Sequence, residues 1–105
     1  MMIITSYIPG RVRLRAKIFT DGEIYSRAEQ IFKSSFGSSI KNYEYNPVNG
    51  SILIEYDGSA IPLEKLMGHT DFFRKLNYQA EHFSSRNREI IFCMLNDLEK
   101  LLKEL

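Results

Sequence analysis

From Arg11 to Ile18 the chain alternates without a fault, with Arg11, Arg13, Arg15 and Lys17 basic and Val12, Leu14, Ala16 and Ile18 apolar. Successive side chains of a strand point to opposite faces, so this period puts cations on one face and a core stripe on the other. The segment is expected to be an interior strand with helices packed on its apolar side. Residues 2–8 are expected to extend it backwards. Pro9-Gly10 is then a bulge or kink, because proline removes a ladder donor and glycine tolerates unusual dihedrals.

The following elements are read from period and punctuation. Thr20-Asp21-Gly22-Glu23 fits a capping box, with Thr20 as the cap. Ile24, Ala28, Ile31, Phe32 and Phe36 share one helical face, and Gly37 stops that helix. Ser39 to Asp57 is a hairpin turning at Asn49-Gly50, the usual signal for a two-residue type I′ turn. That register gives a core face of Tyr43, Tyr45, Pro47, Ile52, Ile54 and Tyr56. It leaves Glu44, Asn46, Leu53 and Glu55 outside, with Glu44 opposite Glu55 as a like-charge pair.

Pro62 opens a second amphipathic helix carrying Leu63, Leu66, Met67, Phe73 and Leu76, interrupted at Gly68-His69-Thr70-Asp71. Asn77 to Phe83 reads as a last strand, with Tyr78, Ala80 and His82 on one face and Gln79, Glu81 and Phe83 on the other. Ser84-Ser85 caps a final helix to Leu105. Two strand–helix–strand units with right-handed crossovers predict an α+β fold. This is a ferredoxin-like βαββαβ sandwich with an antiparallel sheet of order 4-1-3-2 and an added C-terminal helix. The expected division is a domain over residues 1–83 and an amphipathic helix over 84–105. The central strand's cations then lie near Glu55 and Glu81, which relieves the Glu44/Glu55 pair.

At 105 residues one modest core is expected. A net charge of +1 argues against a dedicated nucleic-acid binder, which carries a strongly basic domain. Cys93 is the only cysteine, so no internal disulfide or cysteine-pair metal site forms, and a reducing, cytoplasmic setting is expected. No apolar run reaches the roughly 18–20 residues that span a bilayer, and the start of the chain has no secretory-signal pattern.

Three runs in order resemble one known family: Ile8-Pro9-Gly10-Arg11-Val12-Arg13-Leu14-Arg15, the hairpin Asn46 to Asp57, and Leu76-Asn77-Tyr78-Gln79-Ala80-Glu81. They are similar to the heavy-metal-associated domain, in its divergent branch that opens with Pro-Gly-Arg and lacks the cysteines. The resemblance implies a ferredoxin-like module of metal homeostasis, standing alone or at the cytoplasmic end of a metal-pumping P-type ATPase. The typical member binds a soft metal through two cysteines in the loop after the first strand. Here that loop is Ile18-Phe19-Thr20-Asp21-Gly22-Glu23, without cysteine, so thiolate chemistry is not carried over.

Arg11, Arg13, Arg15 and Lys17 form the candidate surface for an acidic partner, a phosphate-bearing ligand or an anionic membrane. The bland reading is an exposed face neutralised by Glu44, Glu55 and Glu81. RNA fits this face poorly, since Tyr43, Tyr45 and Tyr56 fall on the core side. Ile91, Met94, Leu98, Leu101 and Leu105 mark a stripe on the final helix that either packs on its own domain, forms a homodimer through residues 85–105, docks a partner or lies on a membrane. His69, His82 and Cys93 are scattered ligands that only folding or a dimer could unite around a metal or haem. Asn46 resembles the catalytic asparagine of acylphosphatases, which share this topology, but the glycine-rich phosphate loop they need is missing. The expectation is a non-enzymatic, cytoplasmic interaction module of iron, haem or other metal homeostasis with no resident cofactor, working beside a metal-transporting ATPase. A metal or haem carrier is the alternative.

Overall fold

The structure, a computed structural model, describes residues 4–59, 65 and 68–104. In chain order it has β1 (Ile4–Ile8), β2 (Arg11–Arg15), α1 (Gly22–Phe36), β3 (Ile40–Asn46), β4 (Ser51–Tyr56), α2 (Thr70–Glu81) and α3 (Arg88–Lys103). Short 3-10 turns cover Lys17–Thr20 and Gly37–Ser39. The strands form one antiparallel sheet of order β1-β2-β4-β3. This is an α+β fold with the helices contributing to a single core, as a ferredoxin-like module requires.

Pro9-Gly10 is neither a bulge nor a kink but a reversal. Ile8 pairs with Arg11 across it, and Gly10 has φ +90°. Proline at the first corner and a positive-φ glycine at the second is the type II pattern. β1 therefore folds back beside β2 and takes the edge lane that the sequence reading gave to residues 77–83. That last strand does not exist: Asn77 to Glu81 belong to α2. Leu76 and Ala80, four residues apart, are both buried, and Tyr78 and His82 stack at the same spacing, at 4.3 Å. The two central lanes and the β3 edge are as expected; only the segment filling the fourth lane differs. Pro62, Leu63, Leu66 and Met67 lie outside the described residues.

β2 ends at Arg15, and its alternation continues into the 3-10 turn, where Ile18 and Phe19 are buried and Lys17 is exposed. α1 starts one residue later than the capping box suggests. Asp21 is the cap, its Oδ1 accepting the amides of Glu23 and Ile24 at 3.0 and 3.1 Å, while the Thr20 hydroxyl donates to Lys17 O. α3 likewise begins at Arg88, not after Ser84-Ser85.

The β3–β4 loop is four residues long, Pro47 to Gly50, with Asn46 paired to Ser51. Gly50 N donates to Asn46 O, and only Gly50 in the loop has a positive φ, +69°. The strand pairing is thus displaced by two residues from the type I′ register. Because two is the sheet's side-chain period, every residue keeps its face. Tyr43 and Tyr45 still point to the core, Pro47 becomes exposed loop, and Glu44 now opposes Leu53 rather than Glu55. Gly50 is held against the segment after β2: Ala16 N donates to its carbonyl at 3.2 Å. A Cβ on Gly50 would lie 2.2 Å from Ala16 O.

Val12, Leu14, Ala16, Ile18, Ile52 and Ile54 form the sheet's share of the core. α1 covers them with Ile24, Ala28, Ile31 and Phe32, α2 adds Ala80, and α3 adds Ile91, Leu95 and Leu98. No packing boundary falls at residues 83–84 among the described residues.

Candidate functional site

β2 sets the site. Its even positions anchor in the core, which fixes Arg11, Arg13 and Arg15 outward on the face without helices. Residues directly opposed in register share a face, so this open face consists of transverse rows. Ile8, Arg11, Glu55 and Asn42 make one row; Ser6, Arg13, Leu53 and Glu44 make the next; Arg15, Ser51 and Asn46 make the third.

The expected neutralisation is met only in part: Arg11 stands opposite Glu55, as expected, but without an ion pair among the described residues. Glu81 lies on α2 and not on the sheet. Glu44 and Glu55 are bridged by Asn42, whose Nδ2 donates to Glu44 Oε2 at 2.8 Å and to Glu55 Oε1 at 3.1 Å. Among the described residues, Arg11, Arg13, Arg15 and Lys17 form no ion pair, although Arg11 stands opposite Glu55. The face is cationic along β2, acidic toward β3 and β4, and uncharged along β1. A shallow depression crosses it past Thr5, Ser6, Arg13, Arg15 and Leu53 to Asn46. Lys17, on the 3-10 turn, stands apart from the three arginines as an exposed neighbour.

The loop after β2, Ile18 to Glu23, is closed by its own side chains. Ile18 and Phe19 are 1% and 3% exposed. The Asp21 carboxylate accepts the two α1 amides and a bidentate pair from Arg88, with Nε and Nη2 each at 3.0 Å. Arg88 also approaches Glu23 at 3.4 Å. The Arg88 guanidinium, together with the Ile24 and Glu23 amides, holds the Asp21 carboxyl below its ordinary range against the opposing effect of burial. The donors of this loop are thus committed to structure, and they do not fit a soft metal. The Asp21–Arg88 clamp escaped the sequence reading: its partners are 67 residues apart, and no local pattern announces such a pair.

The α3 stripe faces its own domain. Ile91, Leu95 and Leu98 are buried, Met94 and Leu101 are half-buried, and Leu105 lies outside the described residues. Arg27 of α1 reinforces the contact, reaching Glu99 at 3.2 Å and Asn96 Oδ1 at 2.8 Å.

His69, His82 and Cys93 are not brought together. His69 precedes α2 and His82 follows it, so the helix rise alone separates them by about 20 Å. Cys93 is exposed on α3. His82 Nδ1 sits 2.9 Å from Tyr78 O, at the helix C-terminus. Among the described residues no group of three or more His, Cys, Asp or Glu side chains is placed to hold a metal ion. Asn46 uses its side-chain oxygen within the hairpin loop, accepting the Val48 amide at 2.9 Å. No helix among the described residues is long and apolar enough to cross a membrane.

A family model described as heavy metal associated domain 2 matches residues 1–104, spanning α3 as well as the sheet. No curated protein and no solved structure matches the chain.

Proposed function

Because the chain belongs to the heavy metal associated domain 2 family, we propose that it serves metal handling by docking a protein partner rather than by carrying the ion. It is a non-enzymatic, cytoplasmic module, and Arg11, Arg13 and Arg15 engage an acidic surface of that partner. The observation that carries this reading is that all three arginines are exposed on the open sheet face without an ion-pair partner among the described residues. Unsatisfied guanidiniums in a row favour carboxylate recognition, since each presents a rigid fork of donors.

A metal-transporting P-type ATPase is the partner class that the family context favours. The filled loop at Ile18–Glu23 supports docking over carriage, because it offers no thiolates and no uncommitted carboxylate at Asp21. The α3 stripe contributes less than its pattern suggests, as Ile91 and Leu98 are enclosed in the core.

The test is calorimetric titration of the full chain against the cytoplasmic domains of a metal-transporting P-type ATPase from the same genome. Binding that weakens with salt and is lost in R11E/R13E/R15E supports the reading. An unchanged affinity in that variant, or no complex, overturns it. A parallel titration with Cu(I), Zn(II) and haem is expected to show no stoichiometric binding; tight binding lost on substituting His69, His82 or Cys93 would favour the carrier instead.

A further inference from the structure

The two edges of the sheet differ. β3 is guarded, with Lys41, Asn42 and Glu44 exposed along it. Charged edges of this kind discourage pairing with a foreign strand. β1 carries no charge at all: Thr5, Ser6, Tyr7 and Ile8 are exposed, Tyr7 at 38% and Ile8 at 57%. Its one deterrent is an irregularity between Ile4 and Ser6.

Backbone polarity follows from the turn. Ile8 and Arg11 close a two-residue reversal as a hydrogen-bonded pair, and hydrogen-bonded and open pairs alternate along an antiparallel ladder. Tyr7, opposite Val12, therefore turns its N–H and C=O away from β2, toward the outer edge. Among the described residues nothing pairs with that edge.

The charge pattern points the same way. Glu44 and Glu55 repel an acidic ligand from the β3–β4 half of the face, while β1 offers no opposing charge. An acidic segment drawn to the arginines is thus directed over β1. A strand added outside β1 would run two lane spacings, about 9.6 Å, from β2. An arginine leaning over Ser6 or Ile8 and a glutamate reaching from the other side span that gap together.

We propose that β1 accepts an extended acidic segment of the partner as a fifth strand, with acidic residues at every second position on the arginine face. The alternate positions lie on the face of Tyr7 and are apolar. The two halves have separate roles: main-chain bonds to Tyr7 supply affinity, and the arginines select the sequence. This rests on the proposed docking role of Arg11, Arg13 and Arg15.

The probes are an alternating Glu-Val peptide and an isomer of the same composition with glutamates and valines in separate blocks. Affinities are read by fluorescence anisotropy on the full chain. Amide exchange of Tyr7 is followed in the unmodified protein, so the result does not depend on any variant folding. The expected outcome is that the alternating peptide binds at least about ten-fold tighter than its isomer and protects the Tyr7 amide. R11A/R13A/R15A and Tyr7→Pro each abolish that preference. Equal binding of both peptides that still depends on the arginines, with Tyr7 unprotected, overturns strand addition while leaving the docking reading intact. Binding of neither, or binding independent of the arginines, overturns both.

Discussion

Replacing Ile91 by alanine separates a helix that completes this core from one that serves as a seam between two copies. Ile91 is 0% exposed and belongs to the same cluster as Leu14, Ile24 and Ile52. The substitution deletes buried carbons from the core to which α1 and α3 both contribute, and such isoleucine-to-alanine changes cost about 2–5 kcal/mol. Arg88 at the start of α3 and Asn96 further along it are tied to Asp21 and Arg27, so the helix cannot close readily over the cavity, and a loss of about 3 kcal/mol is expected. For a domain of this size that lowers the melting temperature by roughly 12–24 °C. Urea unfolding measures it directly, with an unchanged slope and a lower midpoint. The midpoint is expected to be the same at protein concentrations about a hundred-fold apart, because no partner copy is needed to bury the residue. A loss below about 1 kcal/mol, or a midpoint that rises with concentration, would refute the assignment of α3 to its own core.

Three further outcomes follow from local geometry. Gly50→Ala combines the left-handed backbone penalty of about 1–2 kcal/mol with a Cβ 2.2 Å from Ala16 O. It is expected to destabilise far more than Gly22→Ala, where the backbone is not left-handed and nothing lies within 4 Å; equal losses in thermal melts would contradict the packing of Gly50. Asp21→Asn keeps a capping side chain but removes the charge that Arg88 grips. Since the Asp21 carboxyl is depressed on folding, its contribution is complete at neutral pH and disappears as pH falls below about 4 through the folded value. The melting gap between wild type and Asp21→Asn should therefore close in acid, and a pH-independent gap would contradict the clamp. Asn42→Ala leaves Glu44 and Glu55, diagonal neighbours across β3 and β4, without their bridge, so its destabilisation should shrink as added salt screens them; a salt-independent loss would contradict that role.

Alternation from Arg11 to Ile18 located β2, its core side and its cationic side correctly, because burial of Val12 and Leu14 leaves the arginines only one direction. The faces of β3 and β4 survived a wrong turn type, because the displacement was an even number of residues. The fourth lane was misassigned because two signals are ambiguous at short range. Pro-Gly serves a kink and a reversal equally well. Leu76, Tyr78, Ala80 and His82 satisfy a strand's period and also two helical pairs, and only the lane taken by β1 decides between them. The free state of the arginines was likewise invisible, since it depends on Asn42 holding both neighbouring glutamates and on Glu81 leaving the sheet. The Asp21–Arg88 clamp joins the first helix to the last, and such pairs emerge only from the assembled fold.

If Arg11, Arg13 and Arg15 dock an acidic partner as proposed, an acidic peptide engages the open face of the sheet. Backbone chemical-shift mapping of the labelled full chain during titration with a polyglutamate peptide reads that face residue by residue. The predicted result is a contiguous patch of shifts over Ser6, Ile8, Arg11, Arg13 and Arg15 that is absent from R11A/R13A/R15A. Shifts gathered instead around Lys100 and Lys103 on α3, or a β2 that stays silent throughout, would contradict it.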